Sequence, residues 1–73
     1  MFSYKKELHI GKMIQQELEN QGRSATWLAK SISCERSNIY KLFARESIGV
    51  EMLLRISEVM GHDFIQDLYE KEE

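Results

Sequence analysis

Residues 24–43 read Ser24-Ala-Thr-Trp-Leu-Ala-Lys-Ser-Ile-Ser-Cys-Glu-Arg-Ser-Asn-Ile-Tyr-Lys-Leu-Phe43, and this stretch decides the fold. It predicts two short helices joined by a tight turn. Ser24 is a good N-cap for the first of them, which carries Leu28, Ala29 and Ile32 on its inner face. A turn through Ser33 and Cys34 leads into the second, at about residues 35–43. That helix buries Ile39, Leu42 and Phe43 and turns Arg36, Ser37, Tyr40 and Lys41 outward. A short helix with one dry side and one cationic, hydrogen-bonding side has the chemistry needed to lie in the major groove of DNA.

The flanking sequence supplies three more helices. Upstream, Ile10, Met13, Ile14 and Leu18 recur at three- and four-residue spacing over about residues 9–21, and Gly22 provides a left-handed stop. Downstream, a loop over residues 44–49 carries Ile48 as an anchor into the core. A helix follows at about 50–60, with Leu53, Ile56 and Met60 inward around the small Ser57, and Gly61 closes it. Asp63 can cap a last helix, and Gln66 three positions later completes the reciprocal capping-box pattern. Phe64, Ile65 and Leu68 then face the core. The chain has no proline, and three of its four glycines fall between these segments, which favours an all-helical chain. The expected organisation is a flexible lead-in over residues 1–8, one domain over 9–69 and an acidic, frayed tail over 70–73.

With 73 residues there is room for one compact domain, and nearly every large apolar residue must join a single core. Net charge is −2, which taken alone argues against a polyanionic partner, but the charge is unevenly placed. Residues 1–22 are neutral in sum. Residues 23–47 carry Arg23, Lys30, Arg36, Lys41 and Arg45 against Glu35 and Glu46, for +3, and residues 48–73 sum to −5. Such asymmetry orients a protein on a polyanion, while the weak overall charge implies modest non-specific affinity. The lone Cys34 cannot form an internal disulfide and reads as a small apolar residue in the turn. No apolar run resembles a signal peptide or a membrane span, so a cytoplasmic, nucleoid-associated location is expected.

Individual residues sharpen the reading. Arg36, near the start of its helix, can grip guanine bidentately, and Ser37, Tyr40 and Lys41 join it as candidates for base readout. Ser24 and Thr26 at the preceding helix start, with Asn38 and Arg45, are candidates for phosphate contact. These have ordinary alternatives: a surface arginine pairing with Glu35 or the preceding helix for Arg36, capping for Ser24, Ser37 and Asn38, a solvated surface charge for Lys41 and Arg45, and partial cover by the following loop for Tyr40. Trp27 is expected to pack as extra core over the first helix or a loop. His9 and His62 make no metal-ligand spacing with Cys34 or each other, so no metal and no cofactor is expected.

Five helices in about sixty residues, with the second and third as a tight pair, resemble the phage-repressor-like (Xre-type) helix-turn-helix family over about residues 9–69. The likeness is carried by Leu28-Ala29, with the alanine where the two helices cross, by Ile32, by Cys34 where a small apolar residue is usual, and by Arg36-Ser37-Asn38-Ile39-Tyr40-Lys41 at the recognition helix. Leu53-Leu54-Arg55-Ile56-Ser57-Glu58-Val59-Met60-Gly61 looks like the fourth helix of that family. The pieces running from Tyr40 to Ile48 and from Leu53 to Ser57, with His62-Asp63-Phe64, are similar to a small subgroup found in Bacteroidetes. The resemblance implies a compact five-helix lambda-repressor-like bundle and a sequence-specific transcriptional regulator of double-stranded DNA. The chain departs from the pattern at Ser33, where glycine is usual, at Ala25, where a phosphate-fixing glutamine is common, and at Phe43-Ala44-Arg45, which replaces Glu-Asn-Gly.

A single domain with few base contacts needs a second copy and a palindromic site for adequate specificity, so a homodimer is the expected form. The last helix with Trp27 or Tyr69 is the surface on offer. The competing reading is a protein-interaction module on the same scaffold, antitoxin-like or accessory, favoured by the net negative charge, the −5 C-terminal third and the missing glutamine. An enzyme is not expected. The sequence offers no nucleophile–base pair, carboxylate pair, metal cluster or phosphate-cradling loop. No basic amphipathic helix suggests a membrane surface.

Overall fold

Helix starts and stops are written locally in this chain, and the structure follows them closely. In the computed structural model, which describes residues 2–3, 9–67 and 70–71, the helices are α1 (Ile10–Asn20), α2 (Ala25–Ser31), α3 (Arg36–Phe43), α4 (Val50–Met60) and α5 (Phe64–Asp67). His9 caps α1, its ring Nδ1 accepting from the Lys12 N–H at 3.2 Å. Ser24 caps α2, its Oγ accepting from the Trp27 N–H at 3.0 Å. Asp63 Oδ1 accepts from the Gln66 N–H at 3.1 Å, which is one half of the expected capping box. The reciprocal bond from the Gln66 side chain is not made among the described residues.

Three helices end in one and the same way. After α1, the Arg23 N–H bonds the Leu18 carbonyl at 2.9 Å and the Gly22 N–H bonds Glu19 at 3.0 Å. After α4, His62 bonds Ser57 at 3.1 Å and Gly61 bonds Glu58 at 3.3 Å; after α2, Cys34 bonds Ala29 at 2.8 Å and Ser33 bonds Lys30 at 3.4 Å. This paired pattern is the Schellman motif, which needs a left-handed residue at its pivot. Gly22 and Gly61 supply it with φ of +69° and +64°, whereas Ser33 is forced to φ +58°. A serine there carries the cost of bringing its Cβ toward the neighbouring carbonyl oxygen.

The core is shared by all five helices. α1 contributes Ile10, Ile14 and Leu18; the α2–α3 pair contributes Leu28, Ala29, Ile32, Ile39 and Leu42; Leu53, Ile56, Met60 and Phe64 close it from α4 and α5. Phe43, expected inside, is only half-buried, because it sits on the edge of α3's dry side with its ring edge-on to Tyr40, centroids 6.0 Å apart. Met13, Trp27, Cys34, Ile48 and Ile65 are half-buried and packed against the same core. Leu68 and Tyr69 lie outside the described residues.

Among the described residues the regular structure is helical apart from one short pairing. Backbone β1 (Phe2–Ser3) runs antiparallel to β2 (Glu70–Lys71), with Phe2 opposite Lys71 and Ser3 opposite Glu70. These positions fall in the stretches the sequence reading assigned to the lead-in and the tail, where it offered no strand. A two-residue strand has no alternation to read, and its partner lies at the far end of the chain. Residues 4–8 and 72–73 lie outside the described residues.

Gly11 is the glycine that falls inside a helix. A Cβ at this position would overlap the main-chain carbonyls of Leu42 and Phe43. Two N–H groups of the first turn of α1 are used here as well: Ile10 donates to the Glu46 carbonyl at 3.0 Å and Gly11 to that of Arg45 at 2.9 Å. The first N–H groups of a helix have no partner within it, so the loop after α3 satisfies them. The start of α1 and the end of α3 are thereby locked together.

Candidate nucleic-acid interface

The residues singled out on α3 share its solvent side. Ile39 and Leu42 are 1% and 8% exposed, while Arg36, Ser37, Asn38, Tyr40 and Lys41 are all open to solvent. Spacing explains the grouping: Arg36 and Tyr40, Ser37 and Lys41, and Ser37 and Tyr40 stand three or four residues apart and so adjoin on the helix surface. Tyr40 is 57% exposed and leans on Phe43, not on the following loop. Gln15, Leu18, Glu19, Arg23 and Ala25 join Tyr40 and Phe43 around a small recess, which brings α1, the start of α2 and α3 to one surface and places an acid, Glu19, beside the basic residues. Arg45 is exposed just beyond α3.

At the start of α2, the Ser24 hydroxyl accepts the cap bond and keeps its own proton available for donation. Thr26 is half-buried, a poorer position for a phosphate than the exposed Ser24. Arg23 was counted in the sequence only as a charge, yet its guanidinium lies 4.0 Å over the Trp27 ring. Stacking of this kind holds an arginine in one orientation. The legible signal was an arginine four residues ahead of a tryptophan at a helix start. Trp27 is also half-buried against the core, as expected. Gly11 is the second residue the sequence reading missed, since it sets where α3 ends.

The basic groups of the helix pair are free of ion pairs among the described residues. Arg23, Lys30, Arg36, Lys41 and Arg45 are all exposed, and the ion pairs among the described residues all involve His62 instead. Glu35 precedes α3 without making a side-chain cap bond and is exposed beside Arg36. Glu46 is likewise exposed beside Arg45, and a further acidic group of residues collects around His62. His62 Nε2 lies 2.6 Å from Asp67 Oδ2, and its Nδ1 lies 3.8 Å from Glu17 Oε2. The hydrogen bond to Asp67 raises the His62 pKa above its ordinary value; partial burial opposes this, and the charges of Asp67, Glu17 and Asp63 add to the rise. Gln21 Nε2 ties the same corner together, donating to Glu17 Oε2 at 2.9 Å and to the Met60 carbonyl at 3.0 Å.

Among the described residues no group of three or more His, Cys, Asp or Glu side chains is placed to hold a metal ion, and no helix is long and apolar enough to cross a membrane. No family model, no curated protein and no solved structure matches this chain.

Proposed function

We propose that this chain is a sequence-specific DNA-binding transcriptional regulator of the helix-turn-helix type, with a lambda-repressor-like arrangement of its five helices. The observation that carries the reading is the division of α3, dry at Ile39 and Leu42 and open at Arg36, Ser37, Tyr40 and Lys41. In this reading α3 enters the major groove. Arg36 grips guanine, Ser37, Tyr40 and Lys41 contact neighbouring base edges, and Ser24, Thr26, Asn38 and Arg45 hold the phosphates on either side. Arg23, steadied by Trp27, adds a phosphate contact beside Ser24. The protein acts in the cytoplasm as a homodimer on a palindromic site and binds without performing catalysis.

Selection from a random-sequence duplex pool at two salt concentrations, with Arg36→Ala as the control, tests this. The expected result is an enriched motif that weakens with salt and loses preference at one position in the control. Weak, salt-sensitive binding without enrichment, unchanged in the control, overturns operator reading.

A second reading, a partner-binding module, has its own observation. Val50 and Leu54, one turn apart on α4, are 66% and 53% exposed, and the nearby Glu51 and Glu58 are exposed as well. Recovery of a stable heteromeric complex together with absence of duplex binding would move this reading to first place.

A further inference from the structure

A cavity of about 320 Å³ opens between α3 and α4. Ile32, Ile39 and Leu42 form its buried lining, Cys34 and Ile48 are half-buried beside them, and Met52 is 37% exposed at its edge. The polar side chains that reach it are Asn38, Lys41 and Arg45, and its lining includes no carboxylate. Lys41 lies in the last turn of α3 and Arg45 just past its end, and both line the cavity. An apolar recess of this size with a few convergent polar groups has the character of a small-molecule site. Its charge selects an anion, and its apolar lining selects a hydrocarbon body.

We propose that this groove binds a carboxylate carrying an aliphatic tail. The tail lies against Ile32, Leu42, Ile48 and Met52, and the carboxylate sits between Lys41 and Arg45 with the Asn38 amide as a neutral donor. An amine of the same shape is refused by the two cations, and a neutral alcohol gains nothing from them. One consequence rests on the DNA-binding reading: Asn38, Lys41 and Arg45 are also assigned to the duplex, so a filled groove competes with DNA.

The test is a titration of the 73-residue chain with sodium octanoate, followed by NMR at backbone amides and side-chain methyls, against sodium acetate at equal ionic strength and against 1-octanol. Octanoate is expected to shift Ile32, Ile48 and Met52 signals saturably, with a Kd on the order of 1 mM for a ligand of about ten heavy atoms. Acetate is expected to give no saturable shift, and octanol to bind several-fold more weakly. Lys41→Ala and Arg45→Ala should each weaken octanoate about threefold to fivefold, the worth of an ion pair open to solvent. Met52→Trp, at a partly exposed position, fills the mouth and should abolish binding; each variant's own spectrum reports whether it is folded.

Non-saturating shifts, shifts confined to other surfaces such as Val50 and Leu54, or octanol binding as tightly as octanoate would overturn the site. In the DNA arm, octanoate is expected to lower duplex binding by the natural chain and to leave that of Met52→Trp unchanged. Octanoate filling the groove without affecting duplex binding overturns the competition. Octanoate binding in a chain that binds no duplex overturns the DNA reading and leaves the carboxylate site standing.

Discussion

Gly11 lies directly against the main chain at Phe43, so closely that a methyl group at position 11 would occupy the space of the Phe43 carbonyl oxygen. The contact reverses the usual sign of a helix substitution. In an open helix interior, alanine is favoured over glycine by roughly 0.5–1 kcal/mol. Here the added methyl meets backbone, which cannot swing aside as a flexible side chain does. Gly11→Ala is therefore expected to destabilise the chain by about 1–3 kcal/mol, the usual cost of overpacking. Urea unfolding measures it. A Gly11→Ala chain as stable as the natural one would show that α1 and α3 are not locked at this point.

Ser33 gives the opposite expectation. Its left-handed φ of +58° closes α2 with the same bonds that Gly22 and Gly61 make after α1 and α4. Relief of the Cβ clash, worth about 1–2 kcal/mol, is partly offset by the greater freedom of glycine in the unfolded chain. Ser33→Gly should stabilise by about 0.5–1 kcal/mol, and a domain of this size gains roughly 4–8 °C in Tm per kcal/mol. Ser33→Ala, which keeps the Cβ, should not gain. Thermal unfolding of the pair separates relief of backbone strain from mere loss of the hydroxyl.

These two positions also mark how far the sequence was legible. The turn at Ser33 could be read in advance because helix stops are local, the apolar spacing ending at Ile32; that glycine is the usual residue there was known only through the family resemblance. The same locality made α4 readable from Val50 to Met60, and it located the caps at Ser24 and Asp63. Gly11 could not be read, because its role depends on which backbone crosses it, 31 and 32 residues further on. The pairing of Phe2–Ser3 with Glu70–Lys71 and the contact of His62 with Glu17 were hidden for the same reason. At the candidate interface the exposed side of α3 followed from its spacing. The stack of Arg23 on Trp27 did not, since charge counting says nothing about where a guanidinium rests.

Arg45 and Arg36 should separate positioning from readout under the DNA-binding proposal. Arg45 is exposed past the end of α3 and is assigned to a phosphate. Arg45→Ala should weaken binding about equally across sequences and reduce the slope of log K against log salt by about 1. Arg36→Ala should instead lower discrimination at one base pair by about 1–3 kcal/mol. Salt titrations on the selected duplex and on one with that pair altered distinguish them. Equal loss on both duplexes for Arg36→Ala would remove it from base readout.

His62 sets a pH dependence whose sign follows from its neighbours. Its imidazolium is favoured in the folded chain by the Asp67 hydrogen bond and by the charges of Asp67, Glu17 and Asp63, so the folded pKa lies above 6.5. A group whose pKa is raised on folding adds stability that is complete below its unfolded value and disappears as pH rises through the folded one. Stability should therefore fall as pH increases from about 6.5 upward until His62 is neutral in the folded state too. The decline should be small, because the side chain keeps 32% exposure and solvent screens its partners. His62→Gln removes the titrating group and should flatten that part of the profile. Asp67→Asn, which takes away the main cause of the rise, should move the decline toward lower pH. Thermal unfolding of the three chains between about pH 5.5 and 8.5 makes the comparison, a window that brackets the ordinary histidine value. A natural chain whose Tm rises across that window relative to His62→Gln would mean that the imidazolium is not held by these carboxylates.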